Sequence, residues 1–308
     1  MRFSIQQNTI EGKRHENQDR MGYIYTRDAL LLVVCDGLGG HGNGEVAATW
    51  ALETLAQRFQ HFAKFTVDDP QAFLEASIVS AHARILKKCL TANLSSNPRT
   101  TIVCALIQND QVWFAHAGDS RGYLLRGNAT LARTKDHSKL QFLLDTGKIK
   151  PEEATADHPD RNRLINCLGA EVYPSVEQTG PFALLEHDTI LLCSDGVWGV
   201  LSDAELVATM SQADLSKGLP ALVNRAAIEG GSYADDATGM AVRWLAELPV
   251  KPIVGNVDSA HIPNEFESTV QLTIGHEGDD SVMSDAEMDA QIAEINQALG
   301  KLKSRYTQ

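Results

Sequence analysis

Two aspartates in this chain each follow a short apolar run and precede a glycine. Asp36 follows LLVVC at 31–35, and Asp195 follows ILLCS at 190–194. An aspartate at the end of an apolar strand places a carboxylate at the rim of a sheet, and the glycine after it lets a cation approach the backbone carbonyl. One such pair is usually a hairpin turn, but two alike indicate a site.

Two further aspartates lie beside predicted strands. Asp19 ends RHENQD at 14–19, and Asp235 lies in YADDAT at 233–238. Oxygen ligands without clustered histidine or cysteine select Mg²⁺ or Mn²⁺ over zinc, and converging carboxylates cannot all ionise unless cations neutralise them. Two such cations, bridged by a carboxylate and a water, make a nucleophile at neutral pH and hold a phosphoryl oxygen. These residues predict a two-metal centre.

The elements that must carry these carboxylates are short strands. Apolar runs of strand length, bounded by Gly, Asp or Asn, occur at 29–35, 101–108, 111–117, 189–193 and 238–244. Asn109 and Asp110 predict a hairpin between the second and third runs. Apolar residues at helical spacing predict helices at 44–62 and 71–90. Because strands and helices fall in separate groups, the pattern favours an α+β fold with antiparallel sheets.

The composition disfavours several classes of protein. The 40 acidic and 27 basic residues give a net charge of −13, which disfavours nucleic-acid binding because phosphates need a Lys/Arg surface. No apolar window of about 18 residues occurs, so no membrane span is expected, and residues 1–8 lack the apolar core of a secretory signal. The five scattered cysteines form no CxxC pair and are predicted to be buried, reduced thiols. Together these features predict a cytoplasmic protein.

Six motifs, in order, resemble those of the protein phosphatase 2C family in its bacterial form. They are RxxNQD at 14–19, VCDGLGGH at 34–41, GDSR at 118–121, DHS at 136–138, SDG at 194–196 and DDAT at 235–238. The resemblance covers residues 5–245. It implies a four-layer α/β/β/α sandwich, in which two antiparallel sheets are flanked by helices.

The resemblance also implies a set of site residues. The implied metal ligands are Asp19, Asp36, the carbonyl oxygen of Gly37, Asp195 and Asp235, with Asp36 bridging two Mn²⁺ or Mg²⁺ ions. Arg14 resembles the phosphate-binding arginine, whose planar fork meets two phosphoryl oxygens; the alternative is a surface salt bridge. Asp119 resembles a ligand of a third, weaker metal site that it shares with Asp195; the alternative is a turn aspartate that supports Arg121.

The implied activity is that of a metal-dependent serine/threonine protein phosphatase. The resemblance implies that a metal-bridging hydroxide attacks the phosphorus directly and that the substrates are phosphorylated proteins, with a cognate serine/threonine kinase as a candidate partner. Some family members have lost metal ligands and act as scaffolds, but this chain keeps the ligand aspartates. A noncatalytic scaffold is therefore the minor hypothesis.

The chain departs from the family pattern at several positions. Animal members often carry a histidine after the Asp-Gly pair, where this chain has Leu38; His41 is not its equivalent, so the general acid is open. Asp236 replaces a common asparagine and adds a negative charge that would tighten metal binding. The variable flap is expected at 139–168.

Composition changes after Trp244, since no Lys or Arg lies between Lys251 and Lys301. We therefore divide the chain into a catalytic domain at 1–247 and an acidic C-terminal extension at 248–308.

Two segments of this extension have predicted structure. A capping box at 284–287, followed by apolar residues three and four apart, predicts an amphipathic helix at 284–304. That helix docks either on its own domain or on a partner, and the sequence leaves both open. The segment 265–270 is interpreted either as a short linear motif or as an edge strand.

Overall fold

The computed structural model describes residues 1–13, 16–38, 43–92, 98–155, 158–212, 214–245 and 266–268. The strands in these ranges are β1 (Arg2–Ile10), β2 (Arg20–Tyr25), β3 (Ala29–Cys35), β4 (Gly37–Leu38), β5 (Arg99–Thr100), β6 (Ile102–Gln108), β7 (Gln111–Ala117), β8 (Arg121–Arg126), β9 (Ala129–Arg133), β10 (Glu177–Ala183), β11 (Thr189–Cys193), β12 (Ala237–Leu245) and β13 (Phe266–Ser268). The helices are α1 (Gly44–Phe62), α2 (Pro70–Ala92), α3 (Lys139–Asp145), α4 (Asp195–Trp198), α5 (Asp203–Gln212) and α6 (Leu215–Glu229). The predicted strands and both predicted helices are confirmed, with bounds shifted by two residues at most.

The strands form two large antiparallel sheets and one small ribbon. The first sheet has the order β1-β12-β11-β8-β9, the second has the order β10-β7-β6-β3-β2-β13, and β4 pairs with β5. The predicted hairpin between β6 and β7 is confirmed, because Asn109 and Asp110 both adopt left-handed backbone angles, with φ of 52° and 54°. A two-residue turn of that kind matches the twist of the flanking strands.

Burial on both faces of the sheets explains the continuous apolar runs. In β3, Leu30, Leu32 and Val34 face the other sheet, whereas Leu31 and Val33 lie under α1 and α2. The outer face of the first sheet packs in the same way against α4, α5 and α6. Two sheets face to face with helices on each outer side make the four-layer α/β/β/α sandwich, so the predicted fold class is confirmed.

The described part of the extension is a short edge strand. β13 pairs antiparallel with β2, with Phe266 opposite Ile24 and Ser268 opposite Gly22, in agreement with the edge-strand interpretation of 265–270. The helix predicted at 284–304 lies outside the described residues. No helix in the described ranges is long and apolar enough to cross a bilayer.

Candidate metal centre

The register of β2 and β3 brings two of the predicted ligands to one edge of the second sheet. Arg20, the first residue of β2, pairs with Cys35, the last residue of β3. Asp19 and Asp36 are the adjoining residues, so they leave neighbouring antiparallel strands at the same end. The two carboxylates are 17 positions apart in the chain but share one rim of the sheet.

The first sheet contributes the remaining carboxylates in the same way. Cys193, at the end of β11, pairs with Gly239 of β12 and with Arg121 of β8. The strand ends at this edge therefore carry Asp195, which opens α4, and also Asp119 and Asp235, which precede β8 and β12.

The charges that act on Asp36 indicate that the five carboxylates lie near one another. Burial raises the pKa of Asp36 well above the ordinary aspartate value, and four neighbouring charges raise it further. Those charges belong to Asp19, Asp195, Asp119 and Asp235. Asp19 is 4% exposed and Asp36 is 9% exposed, so water cannot solvate this much negative charge, and a bound cation would.

Asp119 is part of the same cluster. Burial raises its pKa, and the charges of Asp195 and Asp136 add to that shift. The structure does not pair Asp119 with Arg121 by a hydrogen bond in the described part of the chain. Arg121 instead donates to both carboxylate oxygens of Asp136, at 2.7 and 2.6 Å, and its guanidinium lies 3.6 Å above the ring of Trp198.

Ser194 is a site residue that sequence reasoning missed. Its hydroxyl donates to Oδ2 of Asp19 at 2.7 Å and accepts the backbone N–H of Thr238 at 3.1 Å. This contact crosses from one sheet to the other and orients the Asp19 carboxylate. Burial raises the pKa of Asp19, whereas the hydrogen bonds from Thr238 and Ser194 lower it. The available signal was a serine between an apolar strand and an Asp-Gly pair.

Threonine hydroxyls hold the backbone of Asp36. Thr101 Oγ1 accepts the N–H of Asp36 at 3.1 Å, and Thr100 Oγ1 donates to the Asp36 carbonyl at 2.9 Å. Thr101 Oγ1 also lies 2.7 Å from the hydroxyl of Ser120. The chain around Asp36 is therefore connected to the turn that carries Asp119.

Gly37 is required on steric grounds as well. A Cβ at this position would lie 2.5 Å from the carbonyl carbon of Gly44 and 2.6 Å from the carbonyl oxygen of Gln18. Both contacts are with backbone atoms, so the first turn of α1 and the β1–β2 connection can approach this closely only at glycine. The buried Oε1 of Gln18 accepts no hydrogen bond within the described part of the chain.

These observations fit a site for hard divalent cations. The donor set consists of carboxylate and carbonyl oxygens, which Mn²⁺ and Mg²⁺ prefer. The residues present would hold such ions through the five aspartates and the carbonyl of Gly37.

Asp236 organises the loop next to this cluster. Its Oδ1 accepts the N–H of Gly12 at 2.8 Å, and its Oδ2 accepts the N–H of Gln18 at 2.8 Å. Both oxygens are therefore used by the backbone of the β1–β2 connection, which delivers Asp19. The extra charge still acts on the centre, since it raises the pKa of Asp19 after the larger effect of burial.

Two predicted features lie outside the described residues. Arg14, the predicted phosphate-binding residue, falls in the segment 14–15, and His41 falls in the segment 39–42. Leu38, which occupies the position of the animal histidine, lies in β4 opposite Arg99.

The predicted flap borders a cleft next to α4. The cleft has a volume of about 450 Å³, and its lining includes Leu140 and Leu144 from α3, and Arg161, Trp198 and Asp203. Ser138 caps α3 by accepting the N–H of Gln141 at 3.2 Å. Trp198, which lines the cleft, ends the helix α4 that begins at Asp195, but the five clustered aspartates are not among the lining residues.

Comparisons with known proteins agree with this geometry. Residues 9–221 match the family model described as protein phosphatase 2C. Serine/threonine phosphatase stp of Listeria innocua is 33% identical over 221 residues, which make up 71% of this chain and 87% of that protein.

Solved structures share the fold. Serine/threonine phosphatase Stp1 from Staphylococcus aureus superposes with a TM-score of 0.70 at 28% identity, over 79% of this chain and 95% of that one. The catalytic domain of PstP in complex with two manganese ions gives a TM-score of 0.64 at 28% identity, over 80% and 99% of the two chains. With the family model matching more than half of its residues, this chain belongs to the protein phosphatase 2C family.

Proposed function

We propose that this serine/threonine phosphatase hydrolyses phosphoserine and phosphothreonine monoesters of proteins by direct attack of a metal-bridging hydroxide. The observation that carries the proposal is the convergence of five buried or strand-end aspartates at one edge of the sandwich, with the charges of the other four acting on Asp36. Relatives named serine/threonine phosphatases support the substrate class.

The residue roles follow from position. Asp36, whose pKa is raised by burial and by all four other carboxylates, is the proposed bridging ligand, with Asp19, Gly37, Asp195 and Asp235 around it. Two bound cations supply a water of lowered pKa and neutralise charge on the phosphoryl oxygens.

The supporting residues hold this arrangement rigid. Ser194 orients Asp19, and Thr101 fixes the backbone at Asp36. Arg14 is proposed to bind two oxygens of the phosphate, in the bidentate manner of a guanidinium. A preorganised centre of this kind stabilises transition-state charge without paying for reorganisation during the reaction.

The metal complement is proposed to be two Mn²⁺ or Mg²⁺ ions and a third, weaker one. The related PstP catalytic domain was solved with two manganese ions, which supports Mn²⁺. Asp119 and Asp195 are the proposed ligands of the third ion, because the charge of Asp195 is the largest neighbouring effect on the pKa of Asp119 after burial.

The domain division is also part of the proposal. β12 ends at Leu245 and pairs along its full length with β1, so both sheets acquire their ligand-bearing strands before residue 248. We assign catalysis to 1–247. The extension at 248–308 is proposed to dock on its own domain or on a partner such as a cognate kinase, through the helix that the sequence predicts at 284–304.

A direct test is turnover of para-nitrophenyl phosphate and of a phosphothreonine peptide with Mn²⁺, with Mg²⁺ and with EDTA. We expect metal-dependent turnover that EDTA abolishes. Asp36→Asn should lower turnover by about 100-fold or more, because even residues that only orient a metal ligand contribute about 10- to 100-fold. Asp110→Asn is the matched control, because this exposed aspartate lies in the left-handed hairpin turn, where asparagine is favoured. A folded protein that shows no turnover with any divalent ion would refute the proposed phosphatase activity and favour the hypothesis of a noncatalytic scaffold.

A further inference from the structure

His137 makes two hydrogen bonds with Gly118, the residue before Asp119, one through its backbone and one through its ring. Its backbone N–H donates to the carbonyl of Gly118 at 2.9 Å, and the N–H of Gly118 donates to its ring Nδ1 at 3.2 Å. Gly118 has a φ of 124°, and a Cβ there would lie 2.6 Å from Cβ of Thr101. The turn before Asp119 is thus held by the His137 ring on one side and by Thr101 on the other.

Hydrogen bonds around the ring determine its tautomer. Nδ2 of Asn166 lies 2.6 Å from Nδ1 of His137. The amide orientation of Asn166 is set by Ser175, whose N–H donates to Oδ1 at 3.1 Å and whose carbonyl accepts from Nδ2 at 2.7 Å. Nδ1 therefore receives two donors and carries no proton, so the proton of the neutral ring is on Nε2. That N–H faces Oε2 of Glu177 at 3.3 Å.

The same ring belongs to a cluster with the spacing of a metal site. Nitrogen and oxygen atoms of His116, His137 and Glu177 lie within 4.8 Å of one another, and the two imidazoles stack with centroids 4.5 Å apart. A cation at this cluster needs a lone pair on Nε2 of His137, and the tautomer places a proton there. The hydrogen bonds therefore favour a positioning role over a metal-binding role.

We propose that His137 is a positioning residue for Asp119, acting through the acceptor nitrogen Nδ1. The ring fixes the N–H of Gly118 and thereby the direction in which the Asp119 carboxylate leaves the turn toward Asp195. Asn166, from the end of the flap segment, holds the ring in the required tautomer. This inference rests on the proposed function, in which Asp119 binds the third ion.

Two isosteric substitutions separate the roles of the two ring nitrogens. In His137→Asn, Oδ1 takes the place of Nδ1 and still accepts from Gly118, whereas the contact with Glu177 is lost. In His137→Gln, Nε2 of the amide takes the place of the ring Nε2 and still donates to Glu177, whereas the acceptor for Gly118 is lost. His61→Gln, on the exposed end of α1, is the control for the loss of a histidine.

The measurement is isothermal titration of Mn²⁺ into the full chain, with thermal unfolding of each metal-free variant as the test of folding. We expect His137→Gln to weaken the lowest-affinity Mn²⁺ site about tenfold, the size of one lost buried hydrogen bond. His137→Asn and His61→Gln should leave that site within about twofold of wild type. Asp119→Asn should abolish it and leave the tighter ions bound.

Three outcomes would overturn the inference. Equal weakening by His137→Asn and His137→Gln would show that only the ring volume counts. If Asp119→Asn left Mn²⁺ binding the same as in wild type, Asp119 would bind no ion, and His137 would have no metal ligand to position. Zn²⁺ binding that survives Asp119→Asn but is lost in Glu177→Gln would show that the histidine cluster is itself a metal site. Failure of the proposed function is distinct, since it would appear as a wild-type protein without metal-dependent turnover.

Discussion

Replacing Ser194 with alanine removes the hydroxyl that joins the two sheets at the metal centre. The hydroxyl lies 2.7 Å from Oδ2 of Asp19 and accepts the N–H of Thr238 at 3.1 Å. Ser194 and Thr238 are fully buried, so water cannot replace either contact. Asp19 would keep its hydrogen bond from Thr238 but lose the one from Ser194, so the direction of its carboxylate would be held by fewer contacts.

The size of the effect follows from these contacts. A hydrogen bond to a charged group contributes about 1.5–3 kcal/mol, and a buried N–H without an acceptor costs about 1–3 kcal/mol. Because the two groups share one site and the backbone can relax, we expect a loss of about 3 kcal/mol in the free energy of unfolding. Loss of a residue that orients a metal ligand lowers metal affinity by about 10- to 100-fold.

The assay measures turnover of para-nitrophenyl phosphate as a function of Mn²⁺ concentration. We expect Ser194→Ala to need about 10- to 100-fold more Mn²⁺ for half-maximal activity, with most of the rate recovered at saturating metal. Ser211→Ala is the matched control, because its hydroxyl donates within α5 to the carbonyl of Val207, away from the carboxylates.

The result that would refute this reasoning is a folded Ser194→Ala protein whose Mn²⁺ dependence matches that of wild type. A lowered maximal rate at unchanged Mn²⁺ dependence would count against it as well, since the hydroxyl would then act on the substrate and not on Asp19.

Three further predictions concern the metal-free state, the rim of the sheet and the extension. Burial raises the pKa of Asp36 above the unfolded value near 4, so the folded metal-free protein binds more protons than the unfolded chain. Its free energy of unfolding in EDTA, measured by urea titration, should therefore fall as the pH rises above about 4. The fall should be less steep in Asp36→Asn. Gly37→Ala should lower the free energy of unfolding by about 3 kcal/mol in the same assay, because its Cβ would lie 2.5 Å from the carbonyl carbon of Gly44. In the control Gly127→Ala the Cβ meets no atom within 4 Å, so only the left-handed backbone should cost about 1–2 kcal/mol. Equal losses in the two variants would contradict the steric argument. Removal of residues 248–308 should leave metal-dependent turnover within about twofold, since the predicted ligands all precede this segment; a large loss would show that the extension belongs to the catalytic unit.

Much of the fold was predictable from local patterns. The bounds of β3 and α1 match the predicted 29–35 and 44–62, because a strand buried on both faces needs an unbroken apolar run and a helix needs apolar residues at its own period. The hairpin at Asn109 and Asp110 was predictable because only a few residue types tolerate two successive left-handed conformations.

The candidate site was only partly predictable. The aspartates could be named because each lies within two residues of a strand end, but their partners could not. Ser194 and Asp19 are separated by 175 positions in the chain, and Asp236 and Gln18 by 218. No local pattern encodes such contacts, since they depend on how one sheet is placed against the other.

The sequence by itself determined five of the thirteen described strands, two of the six described α-helices and the aspartates beside strand ends. Local backbone preferences and the period of the apolar residues suffice for that, because they act within a few positions. The tertiary structure alone decided that Asp136 and not Asp119 pairs with Arg121, that Asp236 serves the backbone, and that His137 holds the turn before Asp119. These choices depend on strand register and sheet packing, where one residue of slip would exchange every side chain between the two faces.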